Sequence, residues 1–366
     1  MGFNAFLGNE RIVNALRAML RRDRVPSALL FTGPRGVGKY TLARFFAQAA
    51  TCERLRDDFC GECPHCLRIG LLADTPALVE AGLLERGENA DAATVERMPL
   101  IVQTHPDVWA LVPDPVRPYE PVARPMIRMG QLRAVQRAAY FHPEGRRRIF
   151  ILDGADTMRR TDADVFLKVL EEPPEFTTLI LLAPSPDSLG ATIRSRCLQF
   201  HFAPAPASDI EKLLKERGHA EPDGRKLAAR LSGGSPGVAL ALDLGESRRL
   251  RGAALRLIEQ AAAGKGYKDI FATTAQFAKQ EKESFENLLE VFYSLLTDLL
   301  EVSQGAASSL PCNPDLTREI EGLARKVNFA WVVRATEELD RLKSGLARNI
   351  GRQSSLDALL VSLAAR

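Results

Sequence analysis

Long apolar runs are missing from this sequence. None approaches the roughly 18 residues that a membrane-spanning helix needs, which excludes a helical membrane protein. An excess of charge of one sign is missing too. Lys and Arg total 49 against 46 Asp and Glu, a net charge of +3 with His neutral. That excludes an obligate polycation that wraps nucleic acid, while leaving room for a local basic groove. The opening Met1–Phe6 has no basic segment followed by an apolar core, and it lacks the Ser or Thr of a myristoylation signal. The expectation is a cytoplasmic protein. Cysteine is sparse at 6 residues. Cys197 and Cys312 stand alone, whereas Cys52, Cys60, Cys63 and Cys66 are crowded together.

What is present is globular. Hydrophobic residues make up 46% and charged residues 26% of 366, enough for two or three domains with their own cores. Up to Phe202 short apolar segments alternate with helical patterns, the signature of an α/β fold. Strands are expected at Ala28–Thr32, Val108–Val112, Ile149–Asp153, Leu179–Ala183 and Leu198–Phe202. The three in the middle are near-continuous apolar runs, as a parallel sheet covered on both faces requires. Leu42, Phe45, Phe46 and Ala49 share one helical face. Beyond Pro204 and Pro206 only helical periodicity remains. Phe285, Leu288, Leu289, Phe292, Leu295, Leu296 and Leu299 form a stripe that reads as the core of a helical domain. The segment Gln304–Pro314 reads as a loop. Residues 70–103 read as an insertion, helical in part, with no function assignable from their pattern.

Gly33-Pro34-Arg35-Gly36-Val37-Gly38-Lys39 lies between a strand and a helix. This is the context of a phosphate-binding loop, in which backbone N–H groups turn inward and Lys39 reaches the β- and γ-phosphates. The expected occupant is ATP or ADP with Mg2+. Two positions depart from that chemistry. The residue after the lysine should carry a Mg2+-binding hydroxyl, but it is Tyr40, and Thr41 is turned about 100° further around the helix. The apolar strand ending in Asp153 should be followed by a glutamate that activates water, but Gly154 stands there. Asp156 lies past the strand end and reads as a turn or cap residue. A nucleotide-binding fold with weak or absent hydrolysis of its own is expected.

Cys52, Cys60, Cys63 and Cys66, with two C-x-x-C steps, supply four thiolates. In a reducing compartment they read as a structural Zn2+ site with no open coordination position, in preference to an iron–sulfur cluster or redox thiols. His65 competes as a ligand only if one cysteine drops out. The basic runs Arg21-Arg22-Asp23-Arg24 and Arg146-Arg147-Arg148 read as solvated surface before direct phosphate contacts.

The order of motifs is Phe6-Leu7-Gly8, the phosphate loop, the four cysteines, His105-Pro106-Asp107, the Asp153 strand, Leu170-Glu171-Glu172-Pro173-Pro174 and Ser195-Arg196-Cys197. It resembles the bacterial clamp-loader subunits of DNA polymerase III, members of the AAA+ superfamily, over essentially the whole chain. The closing Leu346–Ile350 and Leu356–Leu360 resemble that family's C-terminal collar. The resemblance implies an AAA+ core at 1–204 carrying the zinc module and the insertion, a helical lid at 205–245 and an all-α collar at 246–366. Tyr40 and Gly154 resemble the delta-prime branch, with its degraded nucleotide site, more than the gamma/tau motor branch; a gamma/tau-like ATPase is the alternative. Ile127-Arg128, Gln131-Leu132-Arg133 and the lack of a tail after the collar agree. By that resemblance Arg196 is an arginine finger offered to a neighbour's ATP site, with a surface salt bridge as the plainer role. The partners implied are the delta and gamma/tau subunits in a five-subunit arc, and through them the sliding clamp and primed DNA. Glu171–Pro174 read as a helix terminator, since proline cannot continue a helix. The sensor positions depart from the family: Ala183-Pro184-Ser185-Pro186 offers only Ser185, and Gly234-Ser235-Pro236-Gly237-Val238 has no arginine.

Overall fold

A computed structural model describes residues 2–87, 90–115, 125–219, 221–279, 282–305, 311–346 and 351–364. The centre of the Gln304–Pro314 loop and all of Leu346–Ile350 except its first residue lie outside these described residues. The chain forms two compact units, one of residues 1–209 with 234–238, the other of 210–233 with 239–366.

The first unit is built on a six-stranded sheet. Its strands are β1 (Ala28–Thr32), β2 (Val102–His105), β3 (Val108–Leu111), β4 (Arg148–Asp153), β5 (Thr177–Ala183) and β6 (Leu198–His201), in the order β2-β3-β4-β5-β1-β6. All neighbours are parallel except β2, which runs antiparallel to β3 at one edge. Every residue of β1 and β5 is buried, and so is β4 up to Asp153. That is why these segments are apolar without alternation: helices cover both faces. β2 was not expected from the sequence. Val-Gln-Thr-His is short and mostly polar, and its ladder with β3 is broken by a register shift between Gln103 and His105. Among the described residues the helices that lie wholly in this unit are α1 (Glu10–Arg21), α2 (Lys39–Thr51), α3 (Pro64–Gly70), α4 (Thr75–Arg86), α5 (Ala92–Arg97), α6 (Met129–Ala139), α7 (Arg160–Glu171) and α8 (Ala191–Arg194).

The insertion contributes α4 and α5 and is tied to the sheet unit. Arg86 donates two 2.9 Å hydrogen bonds to the buried Asp114 carboxylate. Gln131, at the start of α6, donates to the carbonyls of Leu100 at 2.6 Å and Val112 at 2.9 Å. Asp107 is fully buried; it accepts from the N–H groups of Glu144 and Gly145 and pairs with Arg148 at 3.1 Å. Here a sequence expectation is corrected. Arg148 is buried in that pair rather than solvated; Arg146 is exposed as expected, and its guanidinium donates to the carbonyls of Ala49 and Cys52 at the C-terminal end of α2 and of Leu55 beyond it. A guanidinium there satisfies carbonyls that have no partner within the helix and meets the negative end of its dipole.

The second unit is helical: α9 (Ala207–Glu216, whose first residues belong to the sheet unit), α10 (Pro222–Leu231), α11 (Pro236–Ala241, whose first three residues also belong to the sheet unit), α12 (Leu244–Ala263), α13 (Tyr267–Ala278), α14 (Lys282–Ser303), α15 (Thr317–Ala324), α16 (Phe329–Leu346) and α17 (Arg352–Ala364). The Phe285–Leu299 stripe of α14 is buried in its core, as its periodicity predicted. A buried polar network pins residues 312–315 across α12 and α14. Arg251 pairs with Asp315, while Asp298 accepts from the N–H groups of Cys312 and Asn313 and from Asn313 Nδ2. Among the described residues no helix is long and apolar enough to cross a membrane.

Candidate nucleotide cradle and metal centre

The glycine loop joins β1 to α2, and Gly38 caps that helix with φ 104°. Gly36 has φ 74° and backs onto the Gly237–Val238 segment: Gly237 N–H donates to Gly36 O at 2.8 Å, and a Cβ on Gly36 would sit 2.9 Å from Val238. Only glycine fits such an approach. Lys39, first residue of α2, donates from Nζ to Gly33 O at 2.6 Å and Pro34 O at 2.8 Å. Burial lowers its pKa, against the pull of Asp153 and Asp156. Burial likewise raises the Asp153 carboxyl at the end of β4, with Lys39 acting the other way, and raises Asp156. Val37 is buried, Pro34 and Arg35 are exposed on the loop, and Thr41 is half-buried in α2. This loop, with a lysine at its base and a carboxylate on the facing strand, fits a phosphate chain.

The Mg2+ half of the site does not fit. The Tyr40 hydroxyl is hydrogen-bonded to Thr75 Oγ1 at 2.8 Å, at the start of α4, and Thr75 also donates to Leu72 O. The side chain in the metal-binding position is thus engaged with the insertion. Burial, outweighing the Thr75 bond, raises the Tyr40 pKa, so it offers no phenolate at neutral pH. Gly154 adopts φ 73°, and a Cβ there would lie 2.9 Å from Pro113 Cγ. A glutamate could not simply be restored, because both the left-handed backbone and Pro113 oppose a side chain. Asp156 lies in a 3-10 turn, Ala155–Thr157, and Thr157 donates to Gly154 O at 2.7 Å, holding that turn closed.

The candidate metal centre lies at the other end of α2. Cys52 caps α2, Cys60 follows a loop, Cys63 precedes α3 and Cys66 lies within it. Their Sγ atoms all lie within 4.8 Å of one another. A tetrahedron of Zn–S bonds near ~2.3 Å has edges of about 3.8 Å, so four thiolates can close on Zn2+ with little movement. Backbone N–H groups of Glu62 and Cys63 donate to Cys60 Sγ at 3.4 and 3.3 Å and pull that thiol down to about 6, while burial pushes Cys66 up. Both ring nitrogens of His65 are engaged outside the cluster. Its Nδ1 is 2.6 Å from His105 Nε2, and its Nε2 is 2.9 Å from Glu53. Asp107 N–H donates to His105 Nδ1 at 3.0 Å. This fixes a single sense: His105 carries its proton on Nε2 and donates to His65, which donates to Glu53. The His-Pro-Asp motif therefore joins the cysteine module to the sheet.

Arg196 follows α8. Its Nη2 donates to Glu171 at 2.6 Å and its Nη1 to Thr192 O at 2.8 Å. Arg194 pairs instead with Asp187. Ser185 is exposed beyond β5, and Ser235 is buried. The pairings of Tyr40 with Thr75 and of Arg196 with Glu171 span 35 and 25 residues, so no local pattern could have announced them.

The profile of the family described as "DNA polymerase III, delta subunit" matches residues 8–206, and that described as "DNA polymerase III, delta subunit, C terminal" matches residues 253–360. DNA polymerase III subunit delta' of Bacillus subtilis (strain 168) is 26% identical over 359 residues, covering 96% of this chain and 95% of that one. Subunit delta' of Pseudomonas aeruginosa is 31% identical over 217 residues, 57% of this chain and 53% of that one. Subunit tau of Escherichia coli K12 is 29% identical over 251 residues. The chain spans about a third or less of the tau and tau/gamma relatives it matches. A solved structure titled as a DNA polymerase III gamma subunit-related protein from Thermotoga maritima aligns with TM-score 0.38 and 16% identity over 97% of this chain and 99% of that one. A P-loop sheet carrying a four-cysteine centre, followed by helices, with family matches across both units, leads to one assignment: the chain belongs to the DNA polymerase III delta subunit family.

Proposed function

We propose that this chain is a delta-prime-type subunit of a bacterial clamp loader, a scaffold that hydrolyses little or no ATP itself. It binds the delta and gamma/tau subunits in a five-membered arc, supplies Arg196 to a neighbouring motor, and helps load the sliding clamp onto primed DNA in the cytoplasm. The division into core, lid and collar at residues 204 and 245 belongs to this reading. One observation carries it: both hydrolytic positions are obstructed structurally, Tyr40 by its bond to Thr75 and Gly154 by its backbone and Pro113. Phosphates, if bound, are held by Gly33–Lys39, and Zn2+ by Cys52, Cys60, Cys63 and Cys66, where it has a structural task.

The planar, always-charged guanidinium of Arg196 suits the charge that develops on a transferring phosphoryl group. In other nucleotide hydrolases such a finger contributes roughly 10³–10⁵ in rate. The test is steady-state ATP hydrolysis by the isolated chain with clamp and primed DNA, then by a loader reconstituted with and without it. The expected result is negligible turnover alone, unaffected by Lys39→Ala, and loss of clamp loading when the chain is omitted or carries Arg196→Ala. Robust turnover alone that disappears with Lys39→Ala would replace this reading with a gamma/tau-like motor.

A further inference from the structure

We propose that Glu171 is a positioning residue for Arg196: it parks the guanidinium on its own chain and releases it to a phosphate of the adjoining subunit. This rests on the trans-acting role given to Arg196 above and adds a gate to it.

The argument starts from the end of α7. Two acids, Glu171 and Glu172, close that helix before Pro173 and Pro174. The carbonyl end of a helix carries partial negative charge, so carboxylates are disfavoured there and a cation is favoured. Arg196 is that cation. Its Nη2 donates to Glu171 Oε1 at 2.6 Å while Nη1 donates to Thr192 O at 2.8 Å. Each terminal nitrogen has an N–H engaged, and Glu171 places a negative charge beside the guanidinium, so a phosphate approaching Nη2 competes with Glu171 for that donor.

The backbones that carry the two residues are fixed. Phe166, Val169 and Leu170 of α7 share one buried cluster with Leu189 and with Ile193 of α8. The side chains, by contrast, remain in contact with water, 35% exposed for Arg196 and 49% for Glu171. A pair screened in this way contributes little to stability and exchanges readily. Rigid supports with a weak ionic contact suit a removable counter-ion better than a structural brace. Arg194, two residues away, is paired with Asp187 and does not compete for Glu171.

The experiment is a double-mutant cycle in a reconstituted loader with wild-type chain, Glu171→Gln, Arg196→Ala and the double variant. ATP turnover by the motor subunits is read with and without clamp and primed DNA. Glu171→Gln is expected to raise idle turnover, without clamp or DNA, by roughly two- to fivefold, the population shift an exposed ion pair supports. That increase is expected to vanish in the Arg196→Ala background, and the thermal transition of the Glu171→Gln chain is expected to stay at the wild-type position. Unchanged or reduced idle turnover, or an increase that persists without Arg196, overturns the gate while leaving the finger intact. Clamp- and DNA-stimulated turnover that is indifferent to Arg196→Ala overturns the finger and the gate together.

Discussion

Replacing Asp107 by alanine removes the carboxylate that organises the start of β4. Three donors lose their acceptor: Glu144 N–H at 3.1 Å, Gly145 N–H at 2.8 Å and Arg148 Nη2 at 3.1 Å. Breaking a buried ion pair from one side costs about 3–5 kcal/mol, because the remaining charge stays buried. Arg148 keeps the carbonyls of Ala138 and His142 as acceptors, which puts the expected loss at the lower end, about 3 kcal/mol. At about 2–4 °C per kcal/mol for a unit of this size, the midpoint falls by about 6–12 °C. Trp109 on β3 reports this unit once Trp331, the other tryptophan, is changed to Phe. Thermal and urea unfolding followed by Trp109 fluorescence give the value. Asp107→Ala/Arg148→Met is expected to recover part of the loss, since it removes both charges rather than one. A loss below about 1 kcal/mol, or a double variant no more stable than Asp107→Ala alone, refutes the reasoning.

The purified chain is expected to hold about one Zn2+ per molecule, and Cys63→Ser or a strong chelator to lower the Trp109-detected midpoint; metal analysis finding none, or an iron chromophore, contradicts this. Asp153→Asn is expected to raise the midpoint at pH 7. Burial raises the Asp153 pKa, so its contribution to stability is full in acid and lost as pH rises through the folded-state value; the advantage of Asn should fade below about pH 4. A lower midpoint at pH 7 would show that the Lys39 attraction outweighs burial. In the helical unit, Asp298→Ala strands the N–H groups of Cys312 and Asn313, which donate at 2.7 Å, and is expected to cost about 2–4 kcal/mol, read from Trp331 in a Trp109→Phe background.

Local features were legible in the sequence and long-range partnerships were not. β1, β4 and β5 are apolar on both faces, so composition alone betrays them, and the glycine loop announces itself through its spacing between strand and helix. The four cysteines converge as their crowding implied. β2 stayed hidden because a four-residue polar strand at a sheet edge has no apolar signature. Arg148 read as surface because a run of arginines carries no sign of the buried carboxylate that pairs with it, whereas Arg146 of the same run is exposed as expected. The sequence marked Tyr40 and Gly154 as departures, but the obstacles that maintain them, Thr75 and Pro113, come from distant segments.

That last pairing bears on the history open to the molecule. A serine at position 40 would bring back a hydroxyl of the right kind, yet it would cut the link from α2 to Thr75. A glutamate at 154 would demand a different bend in the chain and a different neighbour at 113. On the reading proposed above, each of these substitutions alone costs the fold a contact or a backbone conformation before it supplies a hydrolytic group, so the two obstacles guard the pocket independently and it behaves as a ratchet.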